Sequence, residues 1–213
     1  MTREQTTDRA ALPVALMARA LVGGRAGRRL FGPLDLSLAP GSLIELRGPN
    51  GAGKSTLLLT LAGLLPVLSG AVEFSGHDPE APRPVALLGH RNAVRARLTA
   101  RETLTFFAAL ETAPGLSPEA ALAAVGLEKL ASRDAGQFSQ GQARRLAFAR
   151  LLVAPRPIWL LDEPMAGIDA EGEARLGALI ADHLAAGGAV IAAIHADLPK
   201  NLAGTRIELG VRR

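Results

Sequence analysis

The chain has 213 residues, with 24 basic and 20 acidic side chains and a formal net charge of +4. It contains no cysteine, which excludes disulfides and thiolate metal sites and fits a reducing compartment. Hydrophobic residues make up 48% and aromatics only 3%, so one sizeable domain core must be built from Leu, Ala, Val and Ile. No basic stretch alternates with aromatics as a nucleic-acid surface requires; the scattered arginines read as a solvated face, with an anionic membrane surface as the second reading.

Residues 1–12 are polar, include Arg3, Glu4, Asp8 and Arg9, and show no apolar segment of a secretory signal. Pro13–Val22 and Leu34–Leu38 read as strands around a Gly/Arg turn at Gly23–Arg29. Leu43–Arg47 reads as a buried strand. Lys54–Leu64 follows as a helix that Pro66 helps to end. Ala71–Phe74 and Val85–Leu88 are short strands. Arg101–Leu110, after Thr99 as N-cap, Pro118–Val125, after Ser117, and Ser139–Val153 are helices. Ile158–Leu161 is another buried strand. A helix over Ala170–Ala186 ends at Gly187-Gly188, and strands follow at Ala189–Ile194 and Arg206–Val211. The longest apolar stretch, Leu57–Leu68, is interrupted by Thr60, Gly63 and Pro66 and is too short to span a membrane. Strands alternating with helices predict an α/β fold with a parallel sheet covered on both faces.

Three segments carry chemistry. Gly48-Pro49-Asn50-Gly51-Ala52-Gly53-Lys54-Ser55 is the phosphate-binding pattern G-x-x-x-x-G-K-S, and it lies between a predicted strand and a predicted helix, as that pattern requires. Its glycines allow the backbone N–H groups to turn inward as an anion cradle, and Thr56 continues the loop into the helix. Lys54 suits the β- and γ-phosphates of a nucleotide, and Ser55 suits Mg²⁺. Ile158–Leu161 ends in Asp162 and Glu163. A carboxylate at a buried strand end beside a phosphate loop can hold Mg²⁺, and the next can act as general base on water. Two acids before Pro164 also suit a helix cap; the phosphate loop favours the catalytic reading. In Phe138-Ser139-Gln140-Gly141-Gln142 the serine suits an N-cap. Gly141 in the first turn costs helix stability, which makes sense if a phosphate must approach the helix N-terminus closely. His195 ends a predicted strand, where a lone histidine is ordinarily structural but here would lie near a γ-phosphate.

Taken together and in this order, the motifs resemble those of ABC transporter nucleotide-binding domains over roughly residues 13–211: phosphate loop, a signature at 138–142, Asp162-Glu163, a D-loop-like Ala166-Gly167-Ile168-Asp169, and a switch His195. The resemblance implies a P-loop NTPase fold: a RecA-like parallel sheet, an N-terminal antiparallel β part, a core of 13–90 and 157–213, and an inserted helical subdomain at about 91–156. It implies ATP and Mg²⁺ as ligands, with Gly48 to Thr56 on the nucleotide, Ser55 and Asp162 on the metal, and Lys54, Glu163 and His195 as catalytic groups. It also implies a head-to-tail homodimer in which Ser139, Gln140, Gly141 and Gln142 serve the partner's nucleotide, with Asp169 in the D-loop.

A finer resemblance rests on Leu87-Leu88-Gly89-His90-Arg91-Asn92, Leu98–Leu104 and the helix Gln142–Leu151. These are similar to the ATP-binding subunits of cytochrome c maturation transporters, the haem exporter A family. This implies a multi-spanning membrane permease that docks near His90–Leu104, a peripheral location on the cytoplasmic face of the bacterial inner membrane, and an indirect link to the haem chaperone machinery. His90 stands at the Q-loop position, where most ABC domains carry glutamine. Gln140 replaces a small signature residue and Phe138 a leucine. No aromatic lies in Gly23–Arg29, leaving Arg25 or Arg28 as candidates to stack on adenine. The alternatives are the ATPase of another ABC exporter, for a lipoprotein or small peptide, and a soluble ABC ATPase on nucleic acid or the ribosome. The latter usually carries two such domains or a long coiled-coil insertion. A kinase with a phosphate loop gives no reason for residues 138–142.

Overall fold

The computed structural model describes residues 14–92, 95–111 and 115–210. The expected polar segment 1–12 lies outside these. Two sheets organise the chain. The strands β1 (Ala15–Arg25), β2 (Arg28–Leu38) and β4 (Val67–Ser75) form an antiparallel sheet in the order β2-β1-β4. The second sheet joins β5 (Val85–Leu88), β6 (Ile158–Asp162), β7 (Ala189–Ala193), β3 (Leu43–Arg47) and β8 (Thr205–Glu208) in that order, all parallel. Helices α1 (Lys54–Leu61), α2 (Ala100–Ala108), α3 (Pro118–Ala124), α4 (Gln140–Val153) and α5 (Ala170–Ala185) complete the fold. Of these, α2, α3 and α4, with two short 3₁₀ turns, lie between β5 and β6 in sequence.

The segment read as a Gly/Arg turn over Gly23–Arg29 is mostly strand, and the turn itself is only two residues long. β1 runs to Arg25, β2 starts at Arg28, and the turn between them holds Ala26 and Gly27 at φ 50° and 74°. Two positive φ values at a two-residue turn match the twist of antiparallel strands. Register shifts along β1 and β2 show why alternation was hard to read there: bulges break the period of two.

α1 stops at Leu61, three residues earlier than expected, and Pro66 is not the cause. Gly63 takes φ 76°, its N–H donates to the Thr60 carbonyl (3.0 Å), and the Leu64 N–H donates to Leu59 (2.9 Å). That pair of bonds is a Schellman stop. α5 ends in the same way, with Gly187 donating to Leu184 and Gly188 to His183. At the other ends Thr99, Ser117, Ser139 and Asp169 each accept from a first-turn N–H. The Glu102 carboxylate, held by the backbone and hydroxyl of Thr99, sits below the usual carboxylate range.

Burial divides the core by strand parity. Ile158, Leu160, Ile191, Ile44 and Leu46 face the antiparallel sheet and α1, whereas Trp159, Leu161, Val190 and Ala192 face the larger helices. A parallel sheet buried on both faces explains why these strands read as unbroken apolar runs. β8, at one side of the sheet, is short and mostly exposed, and its Arg206 pairs with buried Glu45 at 3.2 Å.

On the helical face the sole tryptophan, Trp159, stacks on His183 of α5 (centroids 3.8 Å apart, planes 5° apart). Burial pushes the His183 pKa down from 6.5 to about 4, despite the opposing Pro157 and Ala189 carbonyls. The unfolded chain therefore binds a proton at a higher pH than the folded one. The stability this group contributes is complete above about pH 6.5 and is lost as pH falls toward about 4, by up to about 3 kcal/mol. His183→Phe, which keeps a ring on Trp159, is expected to flatten this part of the acid dependence; urea midpoints at pH 7 and 4.5 for both proteins measure it.

Candidate functional site

The carboxyl ends of β3, β6 and β7 lie on one side of the parallel sheet, where ligands of such sheets bind. Their register is fixed by Ala193 of β7, which pairs with Leu46 of β3 on one side and with Asp162 of β6 on the other. Adjacent strands lie about 4.8 Å apart, so the chain entering the phosphate loop and the chain leaving Asp162 are separated by about 10 Å. His195 follows from β7 between them.

The loop 48–53 takes its shape from backbone constraints. Gly48 has φ 140°, and a Cβ there would lie 2.3 Å from the Leu209 carbonyl; Gly53 caps α1 at φ 98°. α1 has no side-chain cap, so its first N–H groups point into the loop and are available to an anion. Lys54 is buried, and its ammonium donates to the Gly48 (2.6 Å) and Pro49 (3.2 Å) carbonyls. Phosphate oxygens are stronger, charged acceptors than these neutral carbonyls. The residues also suit Mg²⁺. Ser55 is exposed beside the cradle, and no side chain among the described residues pairs with the buried Asp162 carboxylate within 4 Å. Two hard oxygen donors, completed by phosphate and water, are a usual protein share of a Mg²⁺ shell. No cluster of three or more metal-binding side chains exists among the described residues.

Glu163 follows at φ 52°, a left-handed conformation unusual for a side chain of this kind. Its N–H donates to the Ala193 carbonyl (2.8 Å), and its Oε1 lies 3.4 Å from Nε2 of His195. Both side chains remain partly exposed, at 33% and 44%. The carboxylate is thus neither spent on a cap nor shut away from water, and the turn that follows begins with Pro164.

Other candidate residues have local partners. Ser139 and Gln142 form a reciprocal capping box at the start of α4 (3.0 and 3.2 Å). Asp169 accepts from Gly172 (2.9 Å) and caps α5. For Gly141 the close approach is made by protein: a Cβ there would stand 2.6 Å from the Gly167 carbonyl. Gln140 packs beside Gly167 and, with His90, Asn92, Arg144 and Glu163, lines a cavity of about 40 Å³. Two of the departures from the family pattern, His90 and Gln140, therefore line one cavity with Glu163. Arg25 and Arg28 flank the exposed hairpin turn.

Two groups of residues escaped the sequence reading. Arg144, counted among the scattered surface arginines, is 3% exposed; burial holds its pKa down, against the pull of Asp162 and Glu163. Its position gave a signal, because 144, 147, 148 and 151 form one helical stripe that is otherwise apolar. The second group ties down the segment after His195. Arg47 pairs with Glu45 (2.9 Å) and Asp197 (2.6 Å), and Arg206 lies 3.7 Å from Asp197.

Residues 31–166, more than half of the chain, match the ABC transporter family. The chain belongs to that family. It is therefore an ATP-binding, ATP-hydrolysing subunit of the kind that works as a dimer with a membrane partner. Its fold is that of a solved ATP-binding subunit of an ABC transporter, with a TM-score of 0.81 at 22% identity over 93% of this chain and 88% of the other. Among curated relatives it is 42% identical to the cytochrome c biogenesis ATP-binding export protein CcmA of Nitrobacter winogradskyi, over 87% of this chain and 93% of the relative. It is 47% identical to the protein of that name from Bordetella bronchiseptica, over 87% and 84%. Among the described residues no helix is long and apolar enough to cross a membrane.

Gly141→Ala tests the contact between the start of α4 and the Gly167 turn. Alanine is the better helix former by up to about 1 kcal/mol, but overpacking typically costs about 1–3 kcal/mol. A lower melting temperature is expected, and a higher one would show that the Gly167 turn yields freely.

Proposed function

We propose that this chain is the ATPase subunit of a transporter that serves haem delivery for c-type cytochrome biogenesis. In this reading it is bound peripherally to the cytoplasmic face of the inner membrane through a multi-spanning permease, linked indirectly to the haem chaperone machinery, and has no nucleic-acid partner. The pathway rests on the relatives named CcmA, each aligned over most of both chains. The chemistry rests above all on one observation: the Glu163 carboxylate and the His195 imidazole meet at 3.4 Å on the strand ends beside the phosphate loop.

Each residue then has a role. Main-chain N–H groups of Gly48 to Thr56, including those of Asn50, Gly51, Ala52 and Gly53, receive the phosphates, and Lys54 exchanges its loop carbonyls for the β- and γ-oxygens. Ser55 and Asp162 hold Mg²⁺. When bound, Mg²⁺ neutralises charge between the phosphate oxygens. Glu163 accepts a proton from water placed in line with the γ-phosphate, and His195 steadies that carboxylate and the γ-phosphate by hydrogen bonding. Ser139, Gln140, Gly141 and Gln142 complete the site of the partner subunit across a two-fold axis, with Asp169 near the join and His90 in the loop that faces the permease.

Lys54→Ala is expected to abolish hydrolysis and weaken nucleotide binding; unaltered turnover would remove the assignment of the loop. Glu163→Gln should retain ATP binding, slow hydrolysis by about 100-fold or more, and accumulate an ATP-bound dimer visible by light scattering. A Glu163→Gln protein that stays monomeric in saturating ATP would count against the shared site. The permease that copurifies from native membranes, identified by mass spectrometry, tests the pathway: a lipoprotein or peptide exporter there would replace the haem reading.

A further inference from the structure

Arg144 has five N–H donors, and all five are used. Nε donates to the Pro164 carbonyl (3.3 Å). One terminal nitrogen donates to the Gly89 carbonyl (2.7 Å) and to Oδ1 of Asn92 (3.1 Å). The other donates to the carbonyls of Asp162 and Glu163, the latter at 2.9 Å. No carboxylate bonds it directly: all its hydrogen bonds go to neutral oxygens, and the Asp162 and Glu163 charges favour the cation only from a distance. The guanidinium thus grips three consecutive carbonyls, 162, 163 and 164, around the one residue of that turn whose φ is positive. Its other hand holds the loop that carries His90. Arg150 of the same helix reinforces this grip through the Asn92 carbonyl (3.1 Å).

Left-handed backbone at a non-glycine residue is strained and persists where the surroundings fix it. Here the surroundings are the Ala193 carbonyl on one side and Arg144 on the other. We infer that Arg144 is a positioning residue for Glu163: it clamps the turn 162–164 to the loop 89–92 and to the signature helix, and so sets the direction of the Glu163 carboxylate. The inference rests on the reading of Glu163 as general base. It also makes loop 89–92 part of the support of that carboxylate, so displacement of this loop perturbs the base without touching nucleotide.

Lysine cannot replace this group. It offers three donors from one nitrogen, and no single point lies within reach of carbonyls that a planar fork spans. The test uses the full-length chain in the complex purified from membranes and compares Arg144→Lys, Asn92→Ala, Glu163→Gln and the double variant Arg144→Lys/Glu163→Gln. Arg144→Lys is expected to lower kcat at least tenfold while nucleotide affinity, measured with a fluorescent ATP analogue, stays within twofold. Asn92→Ala, which removes one acceptor and leaves the cation in place, is expected to lower kcat about threefold. In the Glu163→Gln background Arg144→Lys should cause no further loss, because a clamp that acts through Glu163 has nothing left to position. Wild-type kcat in Arg144→Lys overturns the inference, as does a tenfold loss repeated in the Glu163→Gln background. If Arg144→Lys does not fold, wild-type kcat in Asn92→Ala overturns it. Full turnover in Glu163→Gln itself overturns the underlying reading of the base, and this inference with it.

Discussion

The site depends on the position of β7 between β3 and β6. Ala193 pairs with Leu46 and with Asp162 in one line, and its carbonyl also receives the Glu163 N–H. That line sets how far the anion cradle stands from the acid pair, and it brings His195 out between them. Side-chain period two makes such a register all-or-none: a slip by one residue would turn Asp162 from one face to the other and exchange the residues of the two cores. The functional geometry is therefore carried by the buried aliphatic residues of three short strands as much as by the polar residues at their ends.

The phosphate loop, the acid pair and the helix caps were legible because their physics is local. A glycine pattern between strand and helix, a serine three residues before a glutamine, or paired glycines after a helix each fix a few neighbouring dihedrals. The helix ends show how small the errors were: α2, α3 and α4 start or stop within one or two residues of expectation. α1 ended early because Gly63 could adopt a left-handed conformation before Pro66 was reached. The strands of the β1–β2 hairpin were read too short because bulges and glycines hide their alternation.

Long-range partners were not legible. Arg144 bonds residues 18 to 20 positions ahead and 52 to 55 behind; its place on the apolar stripe of α4 marks it as buried, unlike Arg145, but no local pattern names those partners. The close pass of Gly141 over Gly167 was equally hidden. The glycine was read as room for a phosphate, and the sequence could not say that the chain's own Gly167 carbonyl also passes close to it. In both cases the missing information is which segments meet, and that follows from the sheet order rather than from any local pattern.

The outermost strand, β8, has a further consequence. Among the described residues no strand pairs with its outer side, which leaves hydrogen-bonding groups open to a strand from another molecule. The invitation is weak here. β8 is only four residues long, and the Arg206 guanidinium is drawn back to Glu45 and Asp197, keeping charge along that flank. Edge-to-edge growth into fibres is thereby discouraged, and encounters between copies are left to surfaces where a specific geometry, not bare backbone, decides the outcome.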